Sequence, residues 1–406
     1  MINLFKQLSN KRNLFYLTVI LTLAVTVFRA IRLPNNYSKS HWLIDYRFGF
    51  MKRGIIGSIC SVATSFTGTK MTPGVITILS GIVFVLFVSL FLYAAFMLLK
   101  KHGGSNSIML IILVFSSSPF FVMSAHLFGY FDAVLYICAI LSILLIEKKH
   151  YIMSAFISSF AILVHESYFL TGLTLVYFSI WLKYISGTDS KIGKKEIFIM
   201  LIPFCTFIFL TFYGIFIVDN KLLNRQLFQY LKSIDFVYVG NRGVPHWQTI
   251  GMVELFKTQK TNLMERIFSF ESLSAFYPVL IAILSFIYSA FKLKVLKKES
   301  IALLAVVLAP LAIHSIAFDT VRISLYTTGS VFIAFWILSL NKTPVRPSGS
   351  ITIIALSVLI LNIFSKVQLM GKELDRFTHL QRAGLYLPAL LFALFIIFLD
   401  SSEEYE

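Results

Sequence analysis

The sequence predicts an all-α protein, a bundle of transmembrane helices that crosses a membrane many times. Hydrophobic residues make up 57% of the 406 residues, charged residues only 14%, and the mean hydropathy is +0.81. A soluble domain carries about 25% charged residues. The 41 Phe and 18 Tyr are typical of helices that face lipid and its interfaces. The whole chain, 1–406, is therefore expected to form one integral membrane domain.

Apolar stretches define the expected membrane spans. About twelve are predicted, although several have only 15 to 18 residues, fewer than the roughly 20 that a full crossing needs. They run near 13–31, 74–99, 107–124, 133–147, 150–164, 168–183, 197–217, 276–292, 301–317, 323–340, 351–366 and 384–399. The first has no cleavage site after it, so it is expected to be retained.

Two segments are predicted to lie outside the membrane on its outer side. The first outer loop, 32–73, contains a short apolar stretch at 54–66 that predicts an interfacial or re-entrant helix. The second, 218–275, is long and aromatic, with a turn signal near Pro245. We expect it to form further interfacial helices over the bundle.

The distribution of Lys and Arg predicts the orientation. Loops 1–13, 100–106, 147–150, 183–196, 292–299 and 341–347 together carry seventeen of them, whereas the short loops at 125–132, 165–167 and 318–322 carry only Arg322. Short basic loops remain in the cytoplasm. Both termini are therefore expected inside, and the localisation that follows is a bacterial inner membrane with the site on its periplasmic face. Basic loops at 32–73, 218–275 and 367–383 fall on the outer side, where the rule is weaker for long loops.

The net charge of +17 does not indicate nucleic-acid binding, because the basic residues are scattered through loops and form no known motif. Membrane lipid head groups and lipid phosphates are the expected counter-charges. The chain lacks GxxxxGK[ST] and GxGxxG, so a nucleotide donor is not expected. No cofactor and no metal ligands are predicted, and a divalent metal is left open.

Four groups of ionisable residues interrupt the apolar chain, all at the predicted outer face. Charge is costly near hydrocarbon, so such groups are candidates for function. The candidate catalytic residues are the carboxylates Asp45, Asp132, Glu166 and Asp319. The candidate substrate- and phosphate-binding residues are Arg47, Lys52, Arg53, His126, His165, Arg242, His314 and Arg322.

Each group also has a structural explanation. Asp132 opens a predicted helix, where a carboxylate stabilises the N-terminus. His165 and Glu166 are not part of an HExxH zinc motif, because position 169 is Phe. Asp319 and Arg322 stand at i and i+3, where they can pair on a helix. In the last outer loop, Arg376, His379 and Arg382 recur every three residues, which is typical of an interfacial basic helix on head groups.

The chain resembles the GT-C superfamily of membrane glycosyltransferases. The resemblance lies in the many spans, the later long outer loop, and the acidic residue of the first outer loop, Asp45 in LIDYRFGF. It implies Asp45 as the catalytic base and Arg322 as a ligand of the donor phosphate. The chain is also similar to O-antigen and capsule polymerases, in which outer-loop arginines act; these would be Arg225, Arg242 and Arg266.

The predicted function is glycosyl transfer in the assembly of a bacterial surface polysaccharide. The donor would be a polyprenyl-(pyro)phosphate-linked sugar, and the acceptor a lipid-linked unit or a glycan. The residues do not separate a polymerase from a single-sugar transferase. A transporter or flippase for lipid-linked sugars, and a membrane O-acyltransferase with a histidine-centred site, remain alternatives.

Overall fold

The computed structural model is helical throughout the residues that it describes, which are 11–186, 193–216, 220–240, 243–250, 254, 256–257, 263–269, 297–317, 319–341, 349–369 and 374–403. Within these ranges the one β feature is an isolated bridge between Gln368 and Leu374. The all-α prediction is confirmed for this part of the chain.

The helices of the described residues follow one another in chain order, and two short 3-10 helices of this part of the chain, Tyr46–Phe48 and Ala309–Ser315, lie among them. The α-helices are α1 Lys11–Phe28, α2 Asn36–Leu43, α3 Ile55–Thr67, α4 Pro73–Lys101, α5 Asn106–Ser116, α6 Pro119–His126, α7 Asp132–Glu147, α8 Tyr151–Val164, α9 Tyr168–Thr171, α10 Leu173–Ser186, α11 Lys194–Ile199, α12 Ile202–Phe216, α13 Asn220–Lys232, α14 Val244–Thr249, α15 Leu263–Ile267, α16 Lys297–Leu308, α17 Thr320–Asn341, α18 Gly349–Phe364, α19 His379–Leu385 and α20 Leu387–Glu403.

Proline marks several helix starts, because its missing N–H is unpaired there in any case. Pro73 and Pro119 begin α4 and α6. Pro388 stands in the first turn of α20 and cannot continue the hydrogen bonding of α19, and the two helices meet at a bend of 55°. The pair forms one broken apolar segment.

Six apolar helical segments among the described residues are long enough to cross a membrane, or seven if the bent pair of α19 and α20 is one span. They are Lys11–Phe28, Pro73–Lys101, Asn106–His126, Tyr168–Ile185, Lys194–Tyr213 and Thr320–Asn341. Other predicted spans are helical but shorter, such as α8. The predicted span at 276–292 lies outside the described residues. A polytopic helical protein is therefore supported, and the count of twelve spans is not confirmed.

The surface of α4 shows why lipid is the expected surroundings. Its buried face carries Phe84, Phe87 and Phe91, at helical spacing. Its opposite face exposes apolar side chains, among them Ile78 at 65% and Val85 at 65%. A face this apolar is unfavourable in water over such a length.

The hairpin of α7 and α8 shows which residues lie at the same end of the helices. The chain runs from Asp132 to Glu147, turns through the basic residues at 148–150, and returns to His165. Asp132 and His165 therefore lie at the same end. At the other end Glu147 pairs with Lys183 at 3.1 Å. The end that carries Asp132 holds the ionisable residues considered below.

A buried ion triad joins three elements at that end. Asp375 pairs with Arg29 at 3.0 Å and with Arg382 at 2.9 Å, and all three side chains have no exposed surface. The prediction that Arg382 lies on lipid head groups is wrong, because Asp375 and the end of α18 draw it inside.

Backbone carbonyls complete the coordination of the triad. Arg29 donates to the carbonyls of Asn362 and Ser365, and Arg382 donates to that of Phe364. These carbonyls end α18, where they lack helical partners and carry partial negative charge. The second positive charge of the triad is thereby compensated.

We expect Asp375→Asn to destabilise the fold by about 3–5 kcal/mol, since it leaves two buried guanidinium groups without a counter-charge. Thermal unfolding of the purified protein in detergent would measure this as a large fall in melting temperature. Glu147→Gln is the matched control, because its pair with Lys183 is partly exposed and is worth at most about 1 kcal/mol. Equal falls for the two variants would contradict the role of the triad.

Candidate functional site

Arg322 is held between two carboxylates from distant parts of the chain. Its Nε and Nη2 both donate to Asp132, at distances of 2.7–2.9 Å, and its Nη1 donates to Asp319 at 3.0 Å. Asp132 begins α7 and Arg322 lies in the first turn of α17, so this interaction joins the N-termini of two helices. The helix dipole of α7 further favours the negative charge of Asp132.

Two tyrosines surround the Arg322 guanidinium. Tyr326, one turn along α17, accepts a hydrogen bond from Nε of Arg322 at 2.7 Å. The ring of Tyr130 lies 5.7 Å from the guanidinium carbon, within the range of a cation–π contact. The Arg322 side chain is 14% exposed and the Asp132 side chain 9%. This charge is thus largely, but not completely, removed from solvent.

A second ion pair is formed by the loop before α3 and the turn after α8. Arg53 donates its Nε and Nη2 to the two carboxylate oxygens of Glu166. Arg53 has a φ of 60°, a left-handed conformation that costs an ordinary residue about 1–2 kcal/mol. His165 Nδ1 lies 3.6 Å and Lys52 Nζ 4.0 Å from Glu166. Two cationic side chains and one histidine, whose Nδ1 accepts a hydrogen bond from the Ser167 backbone N–H, therefore surround one carboxylate.

These basic neighbours control the ionisation of Glu166. Burial by itself raises the pKa of this carboxyl, but the charge of Arg53 above all, with that of Lys52, outweighs it and holds the pKa well below its usual range. Burial lowers the pKa of Lys52 to about 8, against the opposite effect of Glu166. Glu166 is therefore a stable anion and a weak base.

The charges of both ion-pair groups act on His41 and Tyr37 of α2. Burial, followed by the positive charges of Arg53 and Arg322, lowers the pKa of His41 to about 3. Burial raises the pKa of Tyr37 to about 12, although both arginines oppose it. The two arginines thus act on the same pair of side chains.

The six charged residues of the two groups are called the charged cluster from here on. It contains three cations and three anions, so its formal charge is zero. The members are Lys52, Arg53, Asp132, Glu166, Asp319 and Arg322.

An apolar crevice opens beside the charged cluster. Its cavity volume is about 20 Å³, room for about one water molecule, and the remaining space is open at its mouth. Asp132 and Arg322 line it together with the buried face of α4 and with aromatic side chains. The apolar lining residues are Trp42, Val83, Phe84, Phe120, Met123, Leu127, Phe128 and Leu325.

Asp45 and Arg47 form a pair of their own. Arg47 Nε donates to both carboxylate oxygens of Asp45, at 2.9 and 2.8 Å, and the Arg47 backbone N–H donates to the first of them. The sequence grouped this pair with Lys52 and Arg53. Arg53 instead pairs with Glu166, and Lys52 donates to the backbone carbonyl of Ile250 at 2.9 Å with Glu166 4.0 Å away. Arg47 also donates to Tyr230 of α13 at 3.3 Å.

The remaining candidates lie elsewhere. His126 is buried at the end of α6, where its backbone carbonyl accepts a hydrogen bond from Arg32. His314 was grouped with Arg322 by sequence, but the charge that acts on it is that of Arg266. Arg242 lies outside the described residues. Among the described residues no group of three or more His, Cys, Asp or Glu is placed to hold a metal ion.

Several residues of the site were missed by the sequence reasoning, namely Tyr37, His41, Tyr130 and Tyr326. Their common signal is an aromatic or imidazole side chain within about one helical turn of a turn or a charged candidate. His41 stands four residues before Asp45, and Tyr326 stands four residues after Arg322. In a chain so rich in aromatic residues this spacing alone is not distinctive.

A comparison of the chain with protein-family models, with curated proteins and with solved structures found no match. The resemblance to membrane glycosyltransferases therefore stays a hypothesis that depends on the chain's own residues.

We expect His41 to contribute to acid denaturation. It stays neutral in the fold down to about pH 3, whereas in the unfolded chain it takes up a proton below about pH 6.5. The unfolded state then binds more protons, so stability falls as the pH drops through this window. Between pH 6.5 and 5 the loss is about 2 kcal/mol.

His41→Gln should therefore flatten the decline in melting temperature between pH 7 and pH 5. His150→Gln is a suitable comparison, because His150 is exposed in the turn between α7 and α8. An unchanged pH profile in His41→Gln would contradict this, because it would show that folding does not lower the pKa of His41.

Proposed function

We propose that the protein is a membrane glycosyltransferase that moves a sugar or repeat unit from a polyprenyl-(pyro)phosphate donor to a lipid-linked or glycan acceptor. The reaction would belong to the assembly of a bacterial surface polysaccharide, either as polymerase or as single-sugar transferase. The observation that carries this proposal is the charged cluster at the edge of an apolar crevice. A lipid-linked donor needs charged side chains for its phosphate and an apolar surface for its hydrocarbon tail.

The basic side chains of the cluster would bind the donor phosphate. The planar guanidinium group of Arg322 suits bidentate hydrogen bonds to phosphate oxygens. Arg53 offers a second cation, and its Nη1 donates to no residue in the described part of the chain. The donor's hydrocarbon tail would lie on the aromatic lining of the crevice.

The carboxylates of the cluster would serve the acceptor. A sugar hydroxyl becomes a good nucleophile when a nearby carboxylate accepts its proton as the bond to the anomeric carbon forms. The departing phosphate takes the electron pair of the broken bond, and the adjacent cations stabilise its charge. Each of the two groups of the cluster holds a carboxylate and a guanidinium in direct hydrogen-bond contact.

The position of the cluster favours this chemistry over transport. Its members lie at helix ends and in short turns, whereas a transporter keeps its polar site near the bilayer midplane. The opposite end of the bundle carries the basic turn at 148–150. By the positive-inside rule that end is cytoplasmic, and the cluster faces the periplasm. Nucleotide donors are scarce there, so a lipid-linked donor fits. A bundle of about twelve spans belongs to the same proposal.

Arg322→Ala is expected to lower glycan transfer by roughly 100-fold or more, the usual effect of removing a group that stabilises developing charge. The measurement is the surface-glycan profile of a deletion strain that expresses the variant at the normal level. Lys183→Ala, which removes a cation at the opposite end, should restore the normal profile. Normal glycans with Arg322→Ala would refute the proposal.

The profile of the deletion strain also decides between the two reactions. Loss of long chains with single repeats retained indicates a polymerase. Loss of one side sugar indicates a single-sugar transferase.

Cysteine labelling tests the orientation. In a variant with Cys205 replaced by Ser, Lys70→Cys should react with a membrane-impermeant thiol reagent in intact cells, since Lys70 is exposed in the loop before α4. Lys148→Cys, exposed in the turn between α7 and α8, should react only after lysis. The reverse pattern would place the charged cluster in the cytoplasm.

A further inference from the structure

The donor groups of Arg322 are already engaged by protein. Nε and Nη2 donate to Asp132, Nε also donates to Tyr326, and Nη1 donates to Asp319. Nη1 carries two N–H groups and donates one of them to Asp319, so a phosphate that binds Nη1 and Nη2 together competes with Asp319 for this edge of the guanidinium.

The two carboxylates differ in how firmly they are held. Asp132 makes a two-point interaction and its side chain is 9% exposed. Asp319 makes a single hydrogen bond and its side chain is 39% exposed. Asp319 also precedes α17, outside the helix that carries Arg322. The weaker and more accessible partner is the one that an incoming anion replaces.

We propose that the donor phosphate displaces Asp319 from Arg322, and that the released Asp319 is the catalytic base. This inference rests on the proposed glycosyl transfer. Asp132 remains in place and positions Arg322 throughout. Because Asp319 becomes available only after the exchange, the donor binds before the acceptor is activated.

The exchange increases the basicity of Asp319. A carboxylate that loses a paired cation accepts a proton more readily, and the neighbouring phosphate adds to this effect. The acceptor hydroxyl then gives its proton to Asp319 as its oxygen bonds to the anomeric carbon. The bond between that carbon and the phosphate oxygen breaks, and its electron pair leaves on the polyprenyl (pyro)phosphate bound to Arg322.

The other candidate bases fit this role less well. Glu166 lies beside Arg53 and Lys52, which stabilise its anionic form. Both oxygens of Asp45 are bound by Arg47, and its side chain is 3% exposed. Asp319 is the most exposed carboxylate of the charged cluster.

Binding and activity should respond in opposite directions to Asp319→Asn. The probe is undecaprenyl phosphate, titrated into the purified protein in phosphatidylcholine nanodiscs and followed by microscale thermophoresis. Removing the competing carboxylate should tighten binding by about fivefold, the scale of a partly exposed ion pair. The same variant should fail to restore the surface glycan. Unchanged or weaker binding of the probe would overturn the exchange.

Control variants separate this inference from the proposed function. Glu147→Gln breaks a carboxylate–cation pair at the opposite end of α7 and should leave the affinity unchanged. Asp319→Glu keeps the charge and should restore part of the activity, while Asp319→Ser repeats the binding test if the Asn variant folds poorly. If Arg322→Ala abolishes both binding and glycan synthesis while Asp319→Asn does not tighten binding, the exchange fails and the proposed function stands. If Arg322→Ala retains glycan synthesis, both fail.

Discussion

A guanidinium group that is largely removed from water must be neutralised, and Arg322 meets this requirement with carboxylates from two elements. Isolated burial of such a charge is very costly, and removing one partner of a buried pair costs about 3–5 kcal/mol. The two-point interaction of Arg322 with Asp132 therefore fixes the start of α17 against the start of α7. The crevice lies between these two helices and α4, and Asp132 and Arg322 line it. The ion pair therefore fixes the position of the polar side chains at the crevice.

The triad of Arg29, Asp375 and Arg382 also neutralises buried guanidinium groups, but it is a structural element and not a candidate site. Its side chains are fully buried, and backbone carbonyls at the end of α18 take further donors of both arginines. None of its three residues lines the crevice beside the charged cluster. It holds helix ends together, whereas the charged cluster remains partly exposed beside a crevice. Exposure and adjacent empty space, rather than the number of charges, distinguish a site from a structural ion pair.

The fold class could be predicted from the sequence because each apolar stretch indicates a helix by itself, without knowledge of how the helices pack. The pairing of Asp319 with Arg322 was accessible for the same reason, since i and i+3 are neighbours on a helix. The pairing of Asp132 with Arg322 was not, because 190 residues separate them and helix packing decides which ends meet. Lys52 and Arg53 are close to Asp45 in sequence, but their partner Glu166 is 113 residues from Arg53. Arg382 was misassigned because its partner Asp375 was not recognised as buried.

Because the charged cluster is neutral, binding of a phosphate changes which of its groups takes up a proton in the proposed reaction. The three cations and three anions of the cluster balance, so a bound phosphate gives the site a net negative charge. This negative charge favours proton uptake by the most exposed carboxylate, Asp319. Deprotonation of the acceptor supplies that proton during transfer. When the polyprenyl phosphate leaves, Arg322 regains Asp319 as its partner, and re-formation of this pair favours the anionic carboxylate and so release of the proton. The ion pair thus competes with the product for the same guanidinium, which limits product retention and returns the site to its neutral state.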